Sequence, residues 1–157
     1  MSSIEEVPPS SPEELADLGR LIDGWADDQV DNPVVEAVER LEDGHRCWFI
    51  RVRGDEKSIF SVWFVLHQRS LLVETYVLPA PEERVEEVFA YLLRRNTKLV
   101  GMAYTVGEEN AVYLRGHVEN RHVDRAELDR MLGTAYMETE QSFRPAMRMA
   151  FGSRFRG

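Results

Sequence analysis

Few residues in this sequence could form a disulfide, a metal centre or a membrane span. It has one cysteine, Cys47, which excludes an internal disulfide and a cysteine-rich zinc site. No apolar run approaches the roughly 18 residues of a membrane-spanning helix. The first ten residues lack the basic and apolar parts of a signal peptide. These absences predict a protein of the reducing cytoplasm with no membrane partner.

The motifs of common enzyme classes are also missing. The sequence contains neither GxxxxGK[ST] nor GxGxxG, and its glycines are too dispersed to surround a phosphate group. No serine lies in a GxSxG motif. His117 and His122 are five residues apart, and no set of side chains has the spacing of three or four zinc ligands. We therefore expect no cofactor, no metal and no catalytic residues, and the chain is not predicted to be an enzyme.

What is present indicates one globular domain with unevenly distributed charge. The 157 residues are 43% hydrophobic and 10% aromatic, enough to bury a core. Residues 1–43 contain 13 acidic and 2 basic side chains, whereas after Glu140 the only charged residues are Arg144, Arg148, Arg154 and Arg156. The overall charge of −9 predicts repulsion from nucleic acid. The arginines are expected to complement the C-terminal end of a helix or to pair with the acidic segment.

The chain is predicted to begin with a flexible leader, residues 1–10, followed by a single domain over residues 11–157. Ser11, Pro12 and Glu14 form a helix start, because serine caps free N–H groups, proline suits the first helical position and glutamate completes a capping box. Apolar residues then recur every three or four positions, as on one face of a helix.

Strands follow this helix. Residues 34–41 fit either a strand or a helix, although the Asp43–Gly44 pair after them is typical of a tight turn. Residues 46–53, 58–67 and 71–78 have the composition of strands and are separated by short turns. Because parallel strands need long crossovers, these strands must form an antiparallel meander.

A helix, a second hairpin and a last helix complete the predicted order. Pro81 is placed in the first turn of the middle helix. Residues 99–106 and 111–118 form the hairpin. Asp124 caps the last helix, and Pro145 is expected to kink that helix or to start a new one. The fold class is therefore α+β, an antiparallel sheet with helices in the order α-β-β-β(-β)-α-β-β-α.

The strand at residues 58–67 is apolar on both faces. Ile59, Trp63 and Val65 lie on the opposite face from the aromatic and aliphatic residues at even positions. A half-exposed antiparallel strand alternates more cleanly than this. The second face is therefore expected to be covered by a helix of this chain, by a second copy in a twofold dimer, or by a different protein. Ile59, Trp63 and Val65 are the candidate partner-binding residues.

Three separated motifs resemble, in the right order, those of the bacterial YbjN family of sensory transduction regulators. They are ETYVLPAP at residues 74–81, YLLRRN at residues 91–96 and LDRMLG at residues 128–133. The resemblance extends over residues 34–155. It implies the fold of type III secretion chaperones, no catalytic apparatus and a tendency to form homodimers. Chaperones of that fold bind extended segments of partner proteins on apolar patches.

Two functions remain open from the sequence. The first is a non-enzymatic, chaperone-like or regulatory protein-binding module of the cytoplasm, which forms a homodimer and binds another protein. The second is a regulator that senses a small anion in a pocket between the sheet and a helix, where Arg94, Arg95 or Arg115 would contact the anion.

Overall fold

The computed structural model describes residues 6–41 and 46–155, which form one antiparallel sheet and three α-helices. The elements in chain order are α1 (Pro12–Asp28), β1 (Val35–Arg40), β2 (Cys47–Arg53), β3 (Ile59–Leu66), β4 (Ser70–Leu78), α2 (Val85–Asn96), β5 (Met102–Val106), β6 (Val112–Glu119) and α3 (Arg125–Ala150). Short 3-10 helices, Gln29–Asp31 and Asn120–His122, precede β1 and α3. The predicted α+β class and element order are confirmed, and residues 34–41 contain a strand. The turn predicted at Asp43–Gly44 lies outside the described residues.

The sheet has the strand order β1-β2-β3-β4-β6-β5, and every neighbouring pair is antiparallel. Its two faces differ because the helices pack on one of them. Trp25 of α1 packs edge-on against Phe64 at 5.1 Å, and Tyr136 of α3 stacks on Phe60 at 6.1 Å. We call this the helix face. The opposite side, which carries Ile59, Trp63 and Val65, is the open face.

Helix α1 begins as its sequence predicts. The N–H of Ser11 donates to Glu14 Oε1 at 2.9 Å, and the N–H of Glu14 donates to Ser11 Oγ at 3.1 Å. This capping box satisfies two N–H groups that no helical carbonyl reaches.

The start of α2 differs from the sequence-based expectation. The helix begins at Val85, so the placement of Pro81 in its first turn is wrong. The N–H groups of Glu82 and Glu83 both donate to the carbonyl of Ala150, at 3.2 and 3.0 Å, at the end of α3. These bonds hold the segment away from a helical path until Arg84, which has a left-handed φ of 50°.

Helix α3 runs through Pro145 as a single element, so no new helix starts there. Proline removes the N–H that would bond to the carbonyl of Gln141. Both residues are exposed, so water can bind the carbonyl that loses its partner.

Part of the leader contacts the domain. The N–H of Ser10 donates to the carbonyl of Gln68 at 2.7 Å, and Arg69 Nε donates to the carbonyl of Val7 at 2.9 Å. The flexibility expected of residues 1–10 stays a prediction.

The turn between β2 and β3 is bound to α3 through one carboxylate. Glu140 accepts the backbone N–H groups of Asp55 and Glu56 at 2.9 and 2.8 Å, and that of Lys57 at 3.2 Å. A Cβ on Gly54 would lie 1.7 Å from the same carboxylate and 2.5 Å from the backbone carbonyl oxygen of Lys57, so glycine is needed to keep this turn. The hairpin that leads into Ile59 is thereby fixed to the last helix.

Lys57 ties the same turn to an irregularity in β4. Its Nζ donates to the carbonyls of Tyr76 and Val77, at 2.6 and 2.9 Å, where the register with β6 shifts. The Nζ also lies 5.1–5.6 Å from the ring centres of Phe60, Tyr76 and Phe143. Burial of the side chain lowers the pKa of Lys57 from 10.5 to about 8.

We expect Lys57 to make stability rise with pH between about 8 and the ordinary lysine pKa of 10.5. Over that range the unfolded chain binds the proton and the folded chain does not, so each pH unit adds on the order of 1 kcal/mol to the free energy of unfolding. The measurement is urea unfolding of wild type and Lys57→Met between pH 7 and about pH 10, taking the difference between them.

The control for this prediction is Lys98→Met, at an exposed lysine, where the difference from wild type should not change with pH. The same flat difference for Lys57→Met would contradict the lowered pKa.

Candidate functional site

The open face places the three predicted partner-binding residues on one side of β3. Ile59 is 51% exposed, Trp63 is 46% exposed, and Val65 is half-buried. The even-numbered residues of the same strand are buried under the helices. Of the three covers considered from the sequence, a helix of this chain is therefore not the one used, as far as residues 6–41 and 46–155 show.

An aromatic pair forms the centre of this face. Phe49 of β2 lies directly opposite Trp63 of β3, and their rings meet edge-to-face at 4.9 Å. Together with Leu41 and Ser61 they line a groove of about 320 Å³ beside β1. Edge-to-face aromatic pairs of this kind offer a large, rigid apolar contact area.

Paired charges surround the aromatic centre. Arg51 lies 3.8 Å from Glu39 on the β1 side, and Arg115 lies 3.4 Å from Glu74 on the β6 side. Exposed pairs contribute little to stability, but they set which charges an incoming surface must match.

The arginines proposed to bind an anion do not meet. Arg115 is exposed on the open face, whereas Arg94 and Arg95 lie near the end of α2 on the helix side. Arg95 is bound to Glu138 of α3 through two nitrogens, and its Nη2 also donates to Gln141 at 2.8 Å. The hydrogen bond with Glu138 raises the pKa of Arg95 above its usual range. These residues therefore form no common anion site.

A buried polar network around Glu138 was not found from the sequence. Tyr104 of β5 donates its hydroxyl to Glu138 at 3.0 Å, and the same hydroxyl lies 2.5 Å from Ser142 Oγ. Burial raises the pKa of Tyr104. The signal was available, because Glu138 lies on the same helical stripe as Met131 and Ala135. An acidic residue on an apolar stripe predicts a buried basic partner, and here that partner orients α2 against α3.

The two histidines considered from the sequence, His117 and His122, lie in different elements. His117 lies on the open face and is exposed over much of its surface. Desolvation of its buried part, together with the nearby Arg115, lowers the pKa of His117. His122 lies in the 3-10 helix before α3 and contacts Glu119. Within the described part of the chain, no three His, Cys, Asp or Glu side chains are grouped as metal ligands would be.

One edge of the sheet is closed by a side chain. The N–H of Tyr104 in edge strand β5 donates to Asn96 Oδ1 at 2.7 Å, and Asn96 Nδ2 donates to the carbonyl of Tyr104 at 3.4 Å. The amide at the end of α2 thus occupies the positions that a further strand would use. Unpaired edge strands invite association, and this arrangement blocks strand pairing at Tyr104, the middle residue of β5.

The comparisons with known proteins agree with this fold. The model of the YbjN family, described as "Putative bacterial sensory transduction regulator", matches residues 23–147. The chain belongs to the YbjN family. The three sequence motifs on which the resemblance rested lie within the match.

Its curated relatives are mycobacterial. An uncharacterised protein of Mycobacterium tuberculosis is 32% identical over 104 residues, which cover 66% of this chain and 57% of that protein. One from Mycobacterium leprae is 29% identical over 113 residues, covering 72% and 61%. The chain thus spans less than two thirds of the length of these relatives.

Its structural neighbours among solved proteins are type III secretion chaperones. The HopA1–SchA chaperone–effector complex gives a TM-score of 0.56 at 13% identity, covering 87% of this chain and 99% of that chain. The Yersinia pestis chaperone SycH, solved with a fragment of YscM2, gives 0.52 at 15% identity, covering 79% and 98%. The chaperone-like fold is therefore confirmed. Among the described residues, no helix is long and apolar enough to cross a membrane.

We expect Asn96→Ala to open the β5 edge. The N–H and carbonyl of Tyr104 lose their partners, which should lower the free energy of unfolding by about 1 kcal/mol. Amide hydrogen exchange at Tyr104 should accelerate, while exchange at Leu114 in the neighbouring interior strand should not. Asn96→Asp is the matched control, because it retains the acceptor for the Tyr104 N–H. Equal exchange at Tyr104 in all three proteins would contradict the role of Asn96.

Proposed function

We propose that this chain is a non-enzymatic, chaperone-like protein-binding module of the cytoplasm, and that its open face receives another protein. The observation that carries the proposal is the exposed apolar centre at Ile59 and Trp63, which the described helices leave uncovered. Exposed apolar patches bordered by polar residues mark protein contact sites. An Arg–Glu pair on each side of this centre provides such a border.

The structural neighbours support the same function. SycH was solved with a fragment of YscM2, and the HopA1–SchA structure is a chaperone–effector complex. Identities of 13–15% establish a common fold and not a common partner. The partner of this chain is accordingly proposed from its own surface.

We propose that the homodimer forms elsewhere, through α2. Leu93 on this helix is 62% exposed, and beside it lies an apolar groove of about 130 Å³ between α2 and β5. Exposed Glu86 and Arg94 lie four residues before and after Ala90. A second copy packed antiparallel about a twofold axis at Ala90 would set each Glu86 beside the other copy's Arg94. This self-complementarity is what a twofold interface requires.

We expect Trp63→Glu to abolish partner binding without unfolding the chain. A charge at the centre of the open face would have to be desolvated on binding, whereas the free protein leaves it in water. The measurement is quantitative capture of partners from the native cell with tagged wild type, Trp63→Glu and Val100→Glu.

Val100 is 75% exposed and lies in the turn before β5, so its variant is a control for added surface charge. Proteins captured by wild type and Val100→Glu, but not by Trp63→Glu, support the proposal. Equal capture by all three proteins would overturn it. Thermal unfolding of each variant establishes that it is folded.

We expect light scattering at micromolar concentration to give twice the 18.1 kDa of the chain. Leu93→Glu should reduce this to one chain mass, whereas Trp63→Glu should leave the dimer intact. A wild-type mass of one chain at high concentration would contradict the homodimer. Dissociation by Trp63→Glu alone would instead place the second copy on the open face.

A further inference from the structure

The β1 edge of the sheet lacks the closure seen at β5. The N–H of Leu41 donates to the carbonyl of Cys47 at 3.1 Å. This bond shows which residues of β1 make backbone hydrogen bonds to β2. In antiparallel pairing, residues alternate between bonding to the neighbour and pointing away from it. The backbone of Glu39 therefore bonds to β2. The backbone N–H and carbonyl groups of Val38 and Arg40 point away from β2, toward the open edge of the sheet. No residue among those described bonds to these outward groups.

A groove lies on each side of this edge. On the open face, the open-side groove of about 320 Å³ contains the Phe49–Trp63 pair. On the helix face, a second groove of about 290 Å³ runs between α1 and β1. We call it the helix-side groove, and its lining residues are Asp23, Ala26, Asp27, Val38, Glu39, Arg40 and Trp48. An added strand would direct alternate side chains into the two grooves.

The two grooves differ in chemistry. Asp23 is already bound, since it accepts Trp48 Nε1 and Arg40 Nη1, both at 2.8 Å. Asp27 is exposed and has no ion pair within residues 6–41 and 46–155. The carboxylate of Glu39 lies on the open face, where it pairs with Arg51. With Asp23 and Asp27 against the one guanidinium of Arg40, the helix-side groove is negative, whereas the open-side groove is mainly aromatic and aliphatic. The first suits basic side chains and the second suits apolar ones.

We propose that β1 accepts an extended segment of a partner protein as an additional antiparallel strand, in which basic residues alternate with apolar ones. Main-chain bonds to Val38 and Arg40 would provide affinity, and the alternating side chains would provide specificity. This proposal rests on the proposed function, because the apolar residues of the segment enter the protein-binding open face.

The test uses a fluorescent eight-residue peptide of alternating arginine and valine, with binding followed by anisotropy. Directly opposite residues of an antiparallel pair have their side chains on the same face of the sheet. Val38 and Arg40 line the helix-side groove, so the peptide residues opposite them are the arginines. The backbone N–H groups of these arginines point at β1. N-methylation of the arginine residues should weaken binding at least tenfold. N-methylation of the valine residues blocks only the outer side of the peptide and should leave binding within twofold.

The composition control is a peptide with its four arginines in one block and its four valines in another, which should bind at least tenfold more weakly. Asp27→Lys should weaken binding of the alternating peptide. Glu13→Lys, at an exposed acid near the start of α1, should change this binding only by the small effect of the altered net charge. Both variants carry the same change of net charge.

Four results would overturn the proposal. Equal binding of the alternating and block peptides would show that charge attraction alone is measured. Equal binding of both N-methylated forms would exclude strand pairing, and a reversed preference would exclude this antiparallel register. No binding by any peptide would reject the added strand but not the open face itself, because the capture experiment with Trp63→Glu does not depend on β1.

Discussion

The constraint on which this structure depends is that all three helices pack on one face of a six-stranded sheet. Trp25 and Tyr136 close that face against Phe64 and Phe60, and no helix within residues 6–41 and 46–155 packs on the opposite face. A strand in such a sheet is expected to be polar outside, but β3 carries Ile59 and Trp63 there instead. Leaving this much apolar surface in water has a cost, which contact with another protein would remove.

The margins of the open face are held by several hydrogen bonds, which bears on how tightly this face would bind a partner. The turn before Ile59 is fixed by three backbone bonds to Glu140 and by the bonds of Lys57 to β4. The Phe49–Trp63 pair is fixed by direct cross-strand pairing. Binding to a surface that is already ordered loses less conformational entropy than binding to a mobile loop. The polar contacts that hold this face therefore lie at its margins, and its apolar centre stays exposed.

The sequence predicted what depends on local pattern and not what depends on distant partners. Capping at Ser11, strand alternation and the element order follow from neighbouring residues, and all are confirmed. The start of α2 depends on the carbonyl of Ala150 at the far end of the chain, which no local signal reveals. To predict that Asn96 bonds to β5, one would have to know that β5 is an edge strand. Likewise, the apolar alternation of β3 identified a face in need of cover but could not say which cover it has.

Whether an arginine can bind an anion depends on the partner that it already has in the fold. This decides between protein binding and anion sensing. Arg95 is one of several arginines in the sequence, but its guanidinium is committed to the buried carboxylate of Glu138. Turning it toward an anion would leave that carboxylate buried without its cation, a loss of roughly 3–5 kcal/mol by analogy with broken buried pairs. A small anion would have to supply that energy before it bound with any net affinity. The apolar centre at Trp63 requires no such rearrangement, since it is exposed before any partner arrives. The energetics therefore favour the open face over an anion site at Arg95.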